Sequence, residues 1–189
     1  AKLSSTGAHV WSKRFGSTAY DRGWGISSNS NGDAVVTGTF TGTVDFGGGP
    51  LSSAGGQDLF LIQLSSDTGS LMWSKRFGGA GSDSGLAVAV DSNGNAAITG
   101  TFQGSVNFGG APLTALAGTE IFAVKYSGSG VHLSSQSFAC AGDDLGLGIA
   151  LDTRSNTLLT GAFSGTMTLG GQSLTSAGST DALILKLAP

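Results

Sequence analysis

Two series of carboxylates stand out in this chain of 189 residues. Asp21, Asp83 and Asp144 follow one another at intervals of 62 and 61 residues, and Asp58, Glu120 and Asp181 repeat the same two intervals. Carboxylates gathered at one end of a fold can hold Ca²⁺, which takes oxygen ligands; Asp21, Asp83 and Asp144 are the residues that would do so. A carboxylate repeated in equivalent loops more often caps backbone N–H groups. That reading is preferred, and neither a metal nor any other cofactor is expected. NSNGD (29–33) and DSNGN (91–95) lack the D-x-D-x-D-G spacing and distal Glu of a Ca²⁺ loop, and their Asn-Gly chemistry marks hairpin turns.

Other reactive side chains are few. His9 and His132 occupy one equivalent position, and Leu71 is its third occupant. A site that accepts Leu is a packing site. Cys140 is the only cysteine, so no disulfide framework or cysteine metal cluster exists. No catalytic residue is assigned, and the chain is read as not an enzyme. Departures from the repeat are more telling than the repeat. Tyr20-Asp21-Arg22-Gly23-Trp24 stands against Ser82-Asp83-Ser84-Gly85-Leu86 and Asp143-Asp144-Leu145-Gly146-Leu147. Tyr20, Arg22 and Trp24 suit carbohydrate stacking or a protein hot spot; alternatively, Trp24 packs where the leucines pack.

The elements that position these residues repeat with them. Phe15, Phe77 and Phe138 anchor the register, and Thr37-Gly38-Thr39-Phe40 recurs as Thr99-Gly100-Thr101-Phe102 and Thr160-Gly161-Ala162-Phe163. The copies run approximately over 16–77, 78–138 and 139–189. In the second copy, four strands are predicted: LAVAV (86–90), NAAITGTF (95–102), IFAVKY (121–126) and VHLSSQSF (131–138). A Gly-rich excursion separates the second from the third. Four-stranded units repeated at fixed length predict an all-β chain, a β-propeller segment of three blades spanning 1–189. The apolar first strand is expected to be buried along the axis and the polar fourth to form the outer edge.

The stretch from Asp58 to Phe102 resembles the bacterial β-propeller repeat called the SBBP repeat. The shared pattern is an acidic residue, an apolar strand, a Gly turn, Trp-Ser, Phe-Gly-Gly, Asp-x-Gly, a second apolar strand ending in Asp, Gly-Asn and Thr-Gly. The resemblance covers nearly the whole chain. The third copy departs at Ser134, Ala139 and Arg154-Ser155-Asn156. The resemblance implies secreted or envelope proteins of bacteria and no shared catalytic site.

Charged residues make up 11% of the chain and hydrophobic ones 39%, which suits a folded core better than disorder. With net charge −3 and no basic run, no nucleic-acid partner is expected. No stretch of apolar residues is long enough to predict a membrane-spanning helix. The first residue is Ala, so a signal segment was removed or the chain belongs to a longer one. Residues 1–3 align with the ends of third strands, and VWSKRF (10–15) with fourth strands, so residues 1–15 are expected to supply the outer strand of a closing blade. Three blades are too few for a ring. The partner is therefore a second copy, giving a homodimeric six-bladed ring, or the remaining blades of a longer chain. The favoured function is a non-catalytic binding or scaffold module for a carbohydrate or protein ligand. An enzyme with a site at the axis, with or without Ca²⁺, and a structural spacer are the alternatives.

Overall fold

The structure, a computed structural model, describes residues 1–140 and 142–189. The described residues form strands and turns with no helix. Two short strands, β1 (Lys2–Leu3) and β2 (His9–Trp11), pair antiparallel. Next come β3 (Asp21–Ser28), β4 (Ala34–Phe40), the hairpin β5 (Thr43–Asp45) and β6 (Pro50–Ser52), then β7 (Asp58–Leu64) and β8 (Leu71–Phe77). Strands β3-β4-β7-β8 form one antiparallel sheet in chain order, and the hairpin stands outside it.

The second group has the same plan. It runs β9 (Ser84–Val90), β10 (Ala96–Phe102), hairpin β11 (Ser105–Val106) and β12 (Leu113–Thr114), β13 (Glu120–Tyr126) and β14 (His132–Phe138). The third has β15 (Leu145–Leu151), β16 (Thr157–Phe163), hairpin β17 (Thr166–Leu169) and β18 (Gln172–Thr175), and β19 (Asp181–Leu187) as its edge. Registers agree in detail. Lys2 faces Trp11 and Leu3 faces His9, with a bulge between, as Gln63 and Leu64 face Trp73 and Leu71, and Lys125 and Tyr126 face Ser134 and His132. The β1–β2 pair is thus the end of a third strand beside a fourth. The strand expected over 10–15 forms over His9–Trp11 instead, so that only residues 10 and 11 of it pair, because β1 offers two residues to pair with.

Sheets stack face to face through apolar cores. Val35, Leu59, Leu61 and Phe77 of the first sheet meet Ile98, Phe122, Val124 and Tyr126 of the second. Ile121, Ala123 and Phe138 of the second meet Leu159, Phe163 and Leu183 of the third. Because β7 and β13 alternate their side chains between two such cores, every residue in them is buried. Burying one such large apolar side chain contributes about 1.5–3 kcal/mol. The first strands do not behave as expected: β3 is largely exposed and β9 only half-buried. In the first two groups the second and third strands carry the core, with apolar clusters on both faces, whereas β16 and β19 are buried on one face only. The excursions also differ from expectation. Each is a hairpin whose alternating apolar residues, Val44 and Phe46, Val106 and Phe108, Met167 and Leu169, close the top of a core.

The Thr-Gly pair has a local reason. Gly38, Gly100 and Gly161 lie opposite a bulge, where a Cβ would run into the carbonyl of Arg22, Ser84 or Leu145. The preceding Thr37 and Thr99 donate their hydroxyls to the carbonyls of Phe60 and Phe122 at 2.9 and 2.7 Å, tying the second strand to the third.

Candidate ligand site

The bulge at the start of each first strand skips one residue of the ladder: Trp24 in β3, Leu86 in β9 and Leu147 in β15. A bulge re-aims the side chain of its extra residue. Trp24 is thereby brought to the surface, 46% exposed, beside Tyr20 at 45%. The Arg22 guanidinium carbon lies 4.9 Å from the Tyr20 ring centre and 4.5 Å from that of Trp24. Each such cation–π contact contributes about 0.5–1 kcal/mol at an exposed site. The Trp24 indole N–H donates to the Thr39 hydroxyl at 2.9 Å, and Thr39 is buried in β4. The indole is therefore anchored from below, and the arginine is clamped between two rings. Among the described residues Arg22 has no carboxylate partner. Arg22 is exposed beside aromatic surface, and its N–H groups can donate to an acceptor oxygen of a ligand. All three residues named from the sequence come together. Trp24 occupies the position of Leu86 and Leu147, and its partner contacts have no counterpart there.

The acids do a different job. Asp21, the first residue of β3, accepts from the Ser17 N–H at 2.6 Å and the Ser17 hydroxyl at 3.0 Å. Asp83 accepts from the N–H groups of Gly79 at 2.9 Å and Gln103 at 3.2 Å. Asp144 accepts from those of Cys140 at 3.1 Å and Ser164 at 3.0 Å. Asp58, Glu120 and Asp181 open β7, β13 and β19 rather than preceding them, and accept from the N–H groups of Ala54, Leu116 and Ala177. Arg76 also pairs with Asp58. Each acid thus stitches a loop beside its strand, and Asp58, Asp83, Glu120 and Asp144 do so at the two sheet junctions.

Asp58 approaches Asp83, and Glu120 approaches Asp144, across the two junctions. Burial, helped by the charge of Asp58, pushes the Asp83 carboxyl up to about 6 against the pull of its two N–H donors. Burial raises Asp144 likewise, and it raises Glu120 with help from the charge of Asp144. One oxygen each of Asp21, Asp58 and Glu120 is buried without a partner. No three or more His, Cys, Asp or Glu among the described residues are placed to hold a metal ion together.

The remaining reactive groups are placed as follows. In the hairpin turns, Asp91 accepts from the N–H groups of Asn93 and Asn95, and Asn29 from those of Asn31 and Asp33. Asn and Asp have exchanged ends of the turn, yet the internal network is the same; Asp33 also accepts from the Ser66 N–H at 2.9 Å and Asp91 from the Ser155 hydroxyl at 2.8 Å. His9 bonds Ser12 at the surface, and His132 packs edge-on to Tyr126. Cys140 is buried, and burial first, then the charge of Asp144, pushes its thiol up to about 12. It is a poor nucleophile. No family model and no curated protein matches the chain.

Proposed function

We propose that this chain is a non-catalytic binding and scaffold module. Its sheets are blades of a β-propeller of the SBBP type, in a secreted or surface protein of bacteria, and Tyr20, Arg22 and Trp24 are its ligand-contacting surface. The observation that carries the reading is the clamped guanidinium between two half-exposed rings, at the point where three otherwise equivalent segments differ most. A carbohydrate face or a protein loop with acceptor oxygens fits this chemistry. The burial of Asp58, Asp83, Glu120 and Asp144, each with an oxygen committed to a backbone amide, favours binding over a hydrolytic site. The test is a glycan array together with a pull-down, using the wild-type chain, Trp24→Ala and Arg22→Ala. Binding should fall about tenfold or more in Trp24→Ala, the loss typical of a hot-spot aromatic. Binding that both variants retain would move the site elsewhere. No binding in either assay would leave the spacer role.

A further inference from the structure

The two outward faces of this structure are the two halves of the junction that it builds twice inside itself. Ile184 in β19 is 80% exposed, whereas its equivalents Ala123 and Leu61 are 7% and 0% exposed, buried against the following sheet. Leu158 is exposed where Ala97 and Val35 are buried. Thr160 is exposed where Thr37 and Thr99 are fully covered. At the other end, Ile26 is 72% exposed, whereas its equivalent Val88 is 8% exposed, buried against the preceding sheet. Beside Ile26 lies an apolar groove of about 230 Å³, with Phe40, Phe60 and Ile62 in its wall.

A glycine series makes the same point sharply. Gly85 and Gly146 are needed for packing, since a Cβ there would meet the hydroxyls of Thr37 and Thr99 in the preceding sheet. Gly23 is their equivalent, but a Cβ on it would approach only Val36, at 4.0 Å. Nothing in the single chain requires a glycine at 23. Thr160 is the exposed equivalent of the threonines that Gly85 and Gly146 accommodate.

We propose that a second copy of this chain is the partner of both faces, the third sheet of each copy docking on the first sheet of the other. Gly23 then sits on the partner subunit's Thr160, and Ile26 and the groove cover the partner's Leu158 and Ile184. The outer edge of β19 gains a strand as well. In the register that joins Lys125 to Ser134 and Tyr126 to His132, β2 receives Lys186 opposite Trp11 and Leu187 opposite His9, displacing β1. A face-to-back contact of this kind closes into a ring or grows into a fibre. Two copies supply six sheets, within the range of about four to eight over which propellers close. The proposal rests on the reading of the sheets as blades and not on the ligand, so a dimer that binds no glycan or protein would fail the ligand reading alone.

Light scattering on the purified chain at tens of micromolar tests it. The expected mass is twice the 18.7 kDa of one chain. Gly23→Val sets a Cβ no nearer than 4.0 Å to its own chain but puts a side chain against the partner's Thr160, and Ile184→Asp charges the opposite face. Both variants should run as monomers with an unchanged β-type circular dichroism spectrum, as should a chain lacking residues 1–15. A monomeric wild type, a ladder of open polymers, or a dimer that survives both substitutions would overturn the proposal. The wild-type mass alone decides if a variant fails to fold.

Discussion

Single atoms decide which repeated residues are structural. The hydrogen of Gly85 sits against the Thr37 hydroxyl, which is itself committed to the Phe60 carbonyl. Gly85→Ala must therefore push two sheets apart or break that bond, at a cost of about 1–3 kcal/mol for overpacking. Gly23→Ala, the same change in an equivalent strand, meets open space in one chain. Urea unfolding under dilute, monomeric conditions should show a clear loss of stability for Gly85→Ala and almost none for Gly23→Ala. Equal effects would mean that the two strands are not packed as described. The repetition of a glycine could be read in the sequence. Which copies use it could not, because that depends on a threonine 48 residues earlier in the chain, Thr37 for Gly85.

Among the elements, the small hairpins between second and third strands were the least legible. Their sequences are dominated by Gly, Ser and Pro and read as excursions. The signal lay in a short alternation, Val44-Asp45-Phe46, Val106-Asn107-Phe108 and Met167-Thr168-Leu169, too brief to mark a strand alone. The structure folds each alternation down onto a core. Phe108 packs 5.3 Å from Phe77 of the preceding sheet and 4.7 Å from Phe122 of its own, and its carbonyl accepts from the Tyr126 hydroxyl at 2.6 Å. Phe108→Ala should cost about 3–5 kcal/mol, as for other buried aromatics, measurable as a large drop in the urea midpoint. A drop comparable to a surface substitution would show that the hairpin is an ornament, not a lid on the core.

Across the whole molecule, the buried acids make stability depend on pH in an unusual direction. Asp83, Glu120 and Asp144 have folded-state pKa values above their unfolded ones, chiefly through burial. The folded chain then holds more protons than the unfolded chain, so their contribution is greatest below the ordinary carboxylate range and declines as pH rises through their folded values, about 6 for Asp83. Asp33 and Asp91 act oppositely. Their pKa values are lowered, Asp33 chiefly by the N–H of Ser66 and Asp91 by the side chains of Asn95 and Ser155 against its own burial. They withdraw stability only as pH falls below the ordinary range. The melting temperature should therefore peak near pH 4–5, about where the two effects cross, and fall toward neutrality. Asp83→Asn should flatten that fall. A melting temperature that climbs steadily from pH 5 to pH 7 would show that these carboxyls are not raised.

Periodicity and turn chemistry, both local properties, were sufficient to read an all-β chain and the four long strands of the second copy, and the register of β1 with β2 repeats that of β7 with β8. The acidic series, too, announced itself by spacing. Tertiary structure alone decided that the second and third strands of the first two groups, not their first strands, are buried on both faces, since burial depends on what lies across the sheet. It also set Arg22 between Tyr20 and Trp24, a contact created by one bulge residue that the alternation of a strand does not encode. And it left Ile184 and Ile26 bare while Ala123, Leu61 and Val88 are covered, because equivalent positions are packed or exposed according to whether a neighbouring sheet stands beside them.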